Sequence, residues 1–463
     1  MKKKNRVLLV AIIALINVSA FAQVKVWTLK ESVDYALQNN LQVQQTLLDF
    51  ETAEQNVVSA KGNFLPTLNG SASHSYNFGS FIGQDGNRVS RDSRGNSFGL
   101  NTGVTLFNGF RNTATYNQAK LGLEASKLQL EILNNDISLN VVNAYLNILF
   151  NKEALKLAEE QIGFSQSQFD QVKAYVDAGS RAKVDLIDAE SQLAADQQRL
   201  VTAENSVDLS LLALSQLLQL PKGNFDIEVV DVNLNNAVFT YNDSGEILSY
   251  ALANRPEIKN AELNIDNAEY NIQIAKSAFY PTLSVGASAS TSYQHFQGQD
   301  DVRQVITGFD PVSGAAIIEL RKNGFEEQVE DNLGYNVGFS LNIPIFNGFR
   351  TKSNVTRAEI NKKKIELALE QEKQVLNTNV EQAFADAKAA LKQYEASQKS
   401  LTLQETVFQN GQSSYELGAS TSFELDQLKN RLLNAQSTFL NAKYDFVFKT
   451  KVLDFFLGKP ITQ

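Results

Sequence analysis

Apolar residues recur at intervals of three and four along two long stretches of the chain, residues 111–220 and 345–459. Neither stretch contains a proline, and both are rich in Ala, Leu, Gln, Glu and Lys, which favour helix. In the first stretch the spacing is that of a coiled-coil seam, formed by Leu128, Ile132, Leu139, Val142, Leu146 and Leu149. The pattern predicts helices over about 29–63, 110–177, 181–219, 246–279, 349–416 and 420–457. At about 1.5 Å per residue, the two longest would each reach about 100 Å.

Strict alternation of apolar and small polar residues predicts two β-hairpins, each placed between a shorter helix and a long one. The alternating apolar positions are Phe98, Leu100, Thr102, Val104 and Leu106, then Leu283, Val285, Ala287, Ala289, Thr291 and Tyr293, then Tyr335, Val337, Phe339, Leu341, Ile343 and Ile345. Strands of about ten residues with one apolar and one serine- and glycine-rich face suit a lipid-facing barrel with a wet interior. A soluble sandwich can show the same alternation. The segments 79–96 and about 294–331, rich in Gly, Asn, Asp and Arg, are predicted to be the loops of the hairpins.

The chain contains two copies of this helix, hairpin and long-helix unit. Residues 53–68 (AEQNVVSAKGNFLPTL) return as 268–283 (AEYNIQIAKSAFYPTL), 215 positions later, and LFNGFR at 106–111 returns as IFNGFR at 345–350, 239 positions later. Pro66 and Pro281 are predicted as helix-to-strand joints, because the residue before a proline avoids the α region. Gly109 and Gly348 are predicted as strand-to-helix joints, because glycine tolerates backbone angles that other residues avoid.

The first 22 residues have the basic start, apolar run and small-residue end of an export signal. Without its four basic residues, the formal net charge falls from −9 to −13, which argues against a nucleic-acid partner. The chain has no cysteine and two histidines, so we expect no disulfide, no thiolate metal site, no cofactor and no imidazole chemistry. The predicted division is signal peptide 1–22, first repeat 23–221, extended strap 222–245, second repeat 246–460 and tail 461–463.

Four strands per chain cannot close a barrel, and a membrane barrel has to close because lipid offers no partner to an exposed strand edge. If these strands cross a membrane, the chain is therefore predicted to be an oligomer. A dimer would give eight strands around a filled interior, and a trimer would give twelve strands around an aqueous lumen. The long helices that continue from the strands would form a helical tube. A tube that led to a barrel with a filled interior would have no evident purpose, so the trimer is favoured.

The duplicated proline exits, the duplicated Phe-Asn-Gly-Phe-Arg joints and the glycine-turned helical hairpins together resemble the TolC-like outer-membrane efflux family over the whole mature chain. The resemblance implies an internally duplicated α+β membrane protein whose trimeric 12-stranded β-barrel is continued by a long α-helical periplasmic barrel. It also implies a homotrimer that meets a periplasmic adaptor protein and an inner-membrane pump at its hairpin tips. The tip residues that would face the adaptor are Tyr175, Gly179, Ser180, Tyr415, Gly418 and Ala419.

The same resemblance implies a gate of acidic residues at the periplasmic entrance. Carried over to this sequence, the family's Gly-x-Arg-x-x-x-Asp-x-x-Asp-Ala tip places the gate at Arg181, Asp185 and Asp188, with Glu424 and Asp426 in the second copy. The paired acids of the family's best-known pattern lie in the second copy, whereas here they lie in the first. Which hairpin lines the constriction is therefore left open, as is the alternative that Asp185 and Asp188 lie on a solvated helix face.

These features predict a passive, gated outer-membrane duct of a tripartite efflux or secretion system, with its cargo chosen largely by the pump. The sequence has no phosphate-binding glycine loop, nucleophile elbow or metal-ligand cluster, so no enzyme activity is expected. The main alternative is a structural or adhesive coiled-coil protein anchored by a small barrel. A weaker alternative is an envelope hydrolase built on acid pairs.

Overall fold

A computed structural model describes residues 25–82, 86, 88–90, 92–220, 225–230, 239, 241, 243–311 and 313–459. The predicted signal peptide and the C-terminal tail 461–463 lie outside the described residues. So does most of the predicted strap 222–245, of which residues 225–230 are the longest described piece. The boundaries of the two repeats stay predictions.

Nine helices and ten strands are found in the described part of the chain. The helices are α1 Leu29–Asn39, α2 Leu41–Gly62, α3 Arg111–Asp177, α4 Lys183–Leu217, α5 Ser244–Asn254, α6 Pro256–Ser277, α7 Phe325–Asp331, α8 Arg350–Glu416 and α9 Ser422–Phe456. The strands are β1 Lys25–Trp27, β2 Thr67–Asn77, β3 Ser80–Ile82, β4 Arg88–Ser90, β5 Ser93–Asn108, β6 Phe225–Ile227, β7 Thr282–Phe296, β8 Val302–Phe309, β9 Ala316–Lys322 and β10 Gly334–Asn342. The two 67-residue helices α3 and α8 confirm the prediction from the breaker-free stretches.

The two shorter predicted helices, 29–63 and 246–279, are wrong as single elements. The first is divided at Asn40 and the second at Arg255, which have the extended ψ angles 129° and 131°. Pro256 pushes the residue before it out of the α region and then begins α6, where its missing N–H is not needed. At Asn40 the side-chain Oδ1 accepts a hydrogen bond from the Gln42 amide (2.9 Å), which offers the backbone an alternative to the helix.

The chain divides into two compact units, and both copies contribute to each. The sheet unit comprises residues 51–125 and 263–366 and is built on a four-stranded antiparallel sheet in the order β10-β7-β5-β2. Its register places Phe339 opposite Val285, which is in turn opposite Val104. Most apolar residues therefore share one face, and most of the Ser, Asn and Gly residues share the other. Every residue of the edge strands β2 and β10 is exposed.

Two details of the predicted hairpins are wrong. The segments 79–96 and 294–331 were expected to be loops, but the first contains the short strands β3 and β4, and the second contains β8, β9 and α7. Apolar and polar residues also alternate in 302–322, but the centre of this segment is rich in Gly, Asp and Pro, which indicates a loop. Ile343 and Ile345 were expected in a strand, but β10 ends at Asn342. Pro344 explains the early end, because a proline has no N–H to donate to a sheet.

The described residues of the helical unit lie within 25–50, 126–262 and 367–459. Its largest apolar core is centred on Val141, Val142, Ile148 and Leu214, all fully buried. Beside this core β1 and β6 form a parallel pair. The buried Tyr145 hydroxyl donates to carbonyl oxygens at the ends of both strands, at Trp27 (3.1 Å) and Glu228 (2.8 Å).

No helix among the residues described has the length and hydropathy needed to cross a membrane.

Candidate functional site

The two long helices end in the same kind of turn. Gly179 and Gly418 have φ angles of +72° and +74°, which an L side chain adopts only with strain. The Ser180 amide donates to the Tyr175 carbonyl (2.8 Å) and the Ala419 amide to the Ser414 carbonyl (2.8 Å). These bonds are the Schellman closure of a helix C-terminus. The duplicated glycines therefore form two sharp hairpin tips, as the sequence predicted.

Arg181 joins the two tips. Its guanidinium carbon lies 5.6 Å from the centre of the Tyr175 ring and 5.2 Å from the centre of the Tyr415 ring, within the range of a cation–π contact. Tyr415 is buried, and within the described part of the chain its hydroxyl has no hydrogen-bond partner. The structure thus brings together three of the predicted tip residues from both copies. Arg181 is held here by aromatic rings.

The four predicted gate acids lie in different environments. Asp185 is half-buried and Asp188 exposed. The Glu424 carboxylate accepts bonds from the Thr421 amide (2.8 Å) and hydroxyl (3.1 Å), which completes the capping box of α9. The Thr421 amide and hydroxyl hold the pKa of Glu424 below its ordinary value. Asp426 is half-buried, and this burial raises its pKa.

A buried polar cluster that the sequence reading missed lies between α3, α4 and α9. The Asp196 carboxylate is fully buried and accepts hydrogen bonds from Ser165 and from the Gln161 side chain (2.9 Å). The buried Lys429 ammonium donates to the Ser165 hydroxyl (2.9 Å), and its Nζ lies 3.8 Å from Asp196 Oδ2. The sequence does contain a signal for this cluster. Lys429 follows Leu425 by four positions, so a lysine occupies a position on the apolar seam.

Burial and hydrogen bonding shift the ionisation of this cluster in a definite way. Burial lowers the pKa of Lys429 to about 8, against the opposing charges of Asp196 and Asp426. Burial acts to raise the pKa of Asp196, but the hydrogen bonds from Ser165, Gln161 and Gln192 together outweigh it and keep that pKa low. The ionised form of Asp196 is thus favoured, whereas the charged form of Lys429 is disfavoured by its burial.

The predicted joints lie at the ends of the two hairpins. Gly109 and Gly348 both have positive φ angles (+66° and +62°), and so do Phe110 and Phe349 directly after them (+66° and +62°). The sequence indicated the glycines but not the phenylalanines, because positive φ is uncommon for a bulky residue. Pro66 lies between α2 and β2, and Pro281 lies between α6 and β7.

No group of three or more His, Cys, Asp and Glu side chains within the described ranges is placed to hold a metal ion.

Comparison with known proteins places the chain among outer-membrane transport proteins. The family model described as "Outer membrane efflux protein" matches residues 33–219 and 247–459. Outer membrane protein TolC of Escherichia coli (strain K12) is 22% identical over 411 residues, covering 88% of this chain and 78% of TolC. Cation efflux system protein CusC of the same strain is 25% identical over 426 residues, covering 90% of this chain and 83% of CusC. A crystal structure of CusC has a TM-score of 0.76 at 21% identity and covers 95% of this chain and 96% of that one.

Proposed function

The chain belongs to the outer membrane efflux protein family, and from this membership we propose that three copies of it form the duct of a tripartite efflux or secretion system. The family consists of channel proteins, and this chain is an outer-membrane efflux channel. The alternative of a barrel-anchored adhesive protein has no support among these relatives. The proposal concerns the assembly, the gate and the partners of the channel.

The single observation that carries the proposed trimer is the four-stranded sheet with two unpaired edges. Within the described residues β2 pairs only with β5, and β10 only with β7. Exposed strand edges are satisfied by pairing with another chain, and in a bilayer they have to be. Three sheets supply twelve strands, a number that leaves room for an aqueous lumen.

The two faces of the sheet fit lipid outside and water inside. Tyr335, Val337, Phe339 and Leu341 on one face of β10 are between 60% and 78% exposed, an unusual density of apolar residues for a surface in water. The opposite face carries small hydroxyl, amide and glycine residues, such as Asn336, Gly338 and Ser340 of the same strand. Lipid would cover the first face, and the second would line the pore.

The proposed gate lies at the hairpin tips. Three copies would bring six carboxylates, from Asp185 and Asp188, around one opening, and so dense a ring would attract cations. Among the described residues no side chain hydrogen-bonds or ion-pairs with either carboxylate, so both are available to neighbouring chains. Arg181, held against Tyr175 and Tyr415, would fix the two tips of one chain together in the closed state.

The proposed partners are a periplasmic adaptor protein, which would dock at the tips, and an inner-membrane pump that supplies energy. Large apolar side chains are exposed around both tips, at Val184 (58%), Ile187 (63%), Leu417 (85%) and Phe423 (69%). Apolar residues on exposed turns are typical of surfaces that another protein covers. Gly179, Ser180, Gly418 and Ala419 lie in the same turns, and Tyr175 lies in the last turn of α3.

Conductance across a planar bilayer tests the duct and its gate together. Native mass spectrometry first measures the number of chains, and we expect three. Arg181→Ser, which introduces the residue of the second copy, should lengthen the open time, and adding Asp185→Ala and Asp188→Ala should reduce cation selectivity. Lys183→Ser is the matched control, because it removes a positive charge from the same turn without touching the tyrosines. A purified oligomer that never conducts in any variant would contradict the proposal.

A further inference from the structure

The apolar face of the sheet becomes polar near one end of its strands. On β5 the side chains of this face include Val104, Leu100 and Phe98, and the next two on the same face are Asn96 and Arg94. The long helix α3 follows the opposite end of β5. If lipid covers the apolar part, as proposed above, the polar part therefore lies at the level of the headgroups of the outer leaflet.

Two polar rows cross the strands at this end, and they contain both histidines of the chain. In the outer row Tyr76 lies opposite Arg94, which is in turn opposite His295. In the row nearer the apolar part, His74 lies opposite Asn96, and the two side chains are hydrogen-bonded. The rows thus bring together polar side chains from β2, β5 and β7.

A cavity of about 360 Å³ opens at the outer row, and its lining includes Tyr76, Phe78, Asp92, Arg94 and His295. We call it the rim pocket. Its volume falls within the range of about 300–1,000 Å³ that is typical of small-molecule sites. The rings of Tyr76 and Phe78 are nearly parallel, at 12°, with their centres 6.4 Å apart. The two residues are 61% and 81% exposed, so they offer an apolar surface beside the polar groups.

Two polar side chains of the rim pocket are held in place by their neighbours. His295 Nδ1 lies 2.9 Å from one carboxylate oxygen of Asp301, whose other oxygen accepts a hydrogen bond from the Tyr293 hydroxyl (3.1 Å). Among the residues that the structure describes, His295 Nε2 has no partner. Asp92 Oδ1 accepts a hydrogen bond from the Gly79 amide (3.0 Å). Both side chains are therefore ordered and still have an atom available to a ligand.

The mixture of donors and acceptors indicates the class of ligand. Arg94 can only donate, and in the described part of the chain its side chain has no hydrogen-bond or ion-pair partner. The carboxylate of Asp92 can only accept, whereas Tyr76 and His295 can do both. A bare phosphate offers acceptors alone and would be repelled by Asp92. A carbohydrate fits better, because each of its hydroxyl groups donates and accepts and its ring can lie against an aromatic face.

We propose that the rim pocket binds the sugar headgroup of a glycolipid in the outer leaflet, with the acyl chains lying against Phe98 and Leu100. A lipid is favoured over a free sugar, because the pocket is continuous with the apolar face that ends at Phe98. Its position in the membrane rests on the proposed function. A girdle of aromatic residues is common at the edges of membrane barrels. Such a girdle accounts for Tyr76 and Phe78 but not for the ordered polar groups beside them.

Native mass spectrometry of the full-length oligomer, titrated with lipopolysaccharide that carries lipid A and core sugars, tests the proposal. We expect one bound molecule per chain and an affinity at least about ten-fold higher than for phosphatidylglycerol. Arg94→Ala should weaken binding at least about ten-fold, because it removes a charged hydrogen-bond donor. Tyr76→Ala should weaken it about five-fold, because it removes a ring contact. Equal affinity for the two lipids would overturn the proposal.

Arg88→Ala and Tyr335→Ala are the matched controls. Arg88 is an exposed arginine of β4, Tyr335 is a 78% exposed tyrosine of β10, and neither lines the pocket. Both variants should bind within about two-fold of the parent, as expected for surface positions outside a site. If Arg88→Ala lost as much affinity as Arg94→Ala, charge alone would attract the lipid and the site would be refuted. Equal losses for the two tyrosine variants would refute it too, because an aromatic girdle would then suffice.

The core oligosaccharide without lipid A separates a lipid from a free sugar. It should bind at least about ten-fold more weakly, because it lacks apolar chains, and an affinity equal to that of the whole glycolipid would contradict the lipid assignment. Asp92→Asn keeps an acceptor for the Gly79 amide and therefore stays informative if the alanine variants fail to fold. It should weaken binding, because a carboxylate is the stronger acceptor, whereas tighter binding would point to phosphate and overturn the sugar site.

The rim pocket and the proposed duct can fail separately, because the binding assay needs no conduction. Specific glycolipid binding by an oligomer that never conducts would support the pocket and contradict the duct. An oligomer that conducts but binds lipopolysaccharide no better than phosphatidylglycerol would overturn the pocket alone.

Discussion

Replacing Phe339 by arginine tests which face of the sheet meets lipid. Phe339 is the sixth of the nine residues of β10, away from both ends of the strand, and its side chain is 74% exposed. The register puts it on the face that carries Val285 and Val104. Ser340 is the next residue and points to the other face, because side chains alternate along a strand. The two positions are neighbours on the same strand and at nearly the same depth. They differ in the face of the sheet to which their side chains point.

The expected size of the effect follows from the cost of placing a charged side chain in hydrocarbon. An arginine on the lipid face of a barrel costs about 2–4 kcal/mol near the middle of the bilayer and about 0–1 kcal/mol at its edges. A trimer would carry the substitution three times, so the barrel would lose roughly 6–12 kcal/mol. Arginine at Ser340 would enter a polar, water-filled lumen and should cost less than about 1 kcal/mol per chain.

Folding into lipid vesicles over a urea series measures both variants in one assay. We expect the midpoint for Phe339→Arg to fall well below that of the parent, with the fraction of assembled oligomer falling in parallel, and the midpoint for Ser340→Arg to change little. Phe339→Leu serves as a control for the loss of the ring. Equal losses for the two arginine variants, or a larger loss for Ser340→Arg, would refute the assignment of the faces.

Three further predictions use differences between equivalent positions or single bonds. Gly109→Ala should lower the free energy of unfolding by about 1–3 kcal/mol more than Gly348→Ala: a Cβ at Gly109 would lie 2.6 Å from a backbone carbonyl oxygen, whereas Gly348 has nothing within 4 Å. Tyr145→Phe removes a buried hydroxyl that bonds two carbonyls and should cost about 1–3 kcal/mol in urea unfolding. The capping box of Thr421 and Glu424 should be intact above pH 4.5 and open as the lowered pKa of Glu424 is passed on acidification, seen as faster corrected amide exchange at Thr421.

The long helices were predictable because nothing in their sequences interrupts them. Only one of the two breaks in the shorter helices has a clear signal in the sequence. Pro256 is a plain signal, whereas Asn40 lies 215 positions before Arg255 at the equivalent place in the first copy, where no proline follows. Aligning the two copies would have predicted a break at Asn40 from the one that Pro256 indicates at Arg255. Tandem positive φ angles at Gly109 and Phe110 could not be foreseen, because only the surrounding structure makes a phenylalanine adopt one.

The turns of the hairpin tips and the environment of Arg181 differ in how far a sequence can reveal them. Gly179 and Gly418 indicate a turn without further information, since glycine is the usual residue after a helix end. Arg181 carries no such information about its environment. The sequence predicted only that Arg181 lies at the gate, whereas the described residues place it over two tyrosines. The partners of a charged residue depend on helices distant in sequence, so periodicity alone cannot supply them.

The buried polar cluster of Asp196 and Lys429 shows where the duplicated halves have stopped being equivalent. With the offset of 239 positions, Asp196 corresponds to Ala435 and Lys429 to Glu190. Ala435 is buried without charge, and Glu190 is exposed. An unaltered duplication would give α4 and α9 the same contacts, but here α4 supplies a buried acid and α9 a buried base. A ring of three such chains would alternate two kinds of contact between neighbouring hairpins, and the contact of Lys429 with Asp196 belongs to the kind made within one chain.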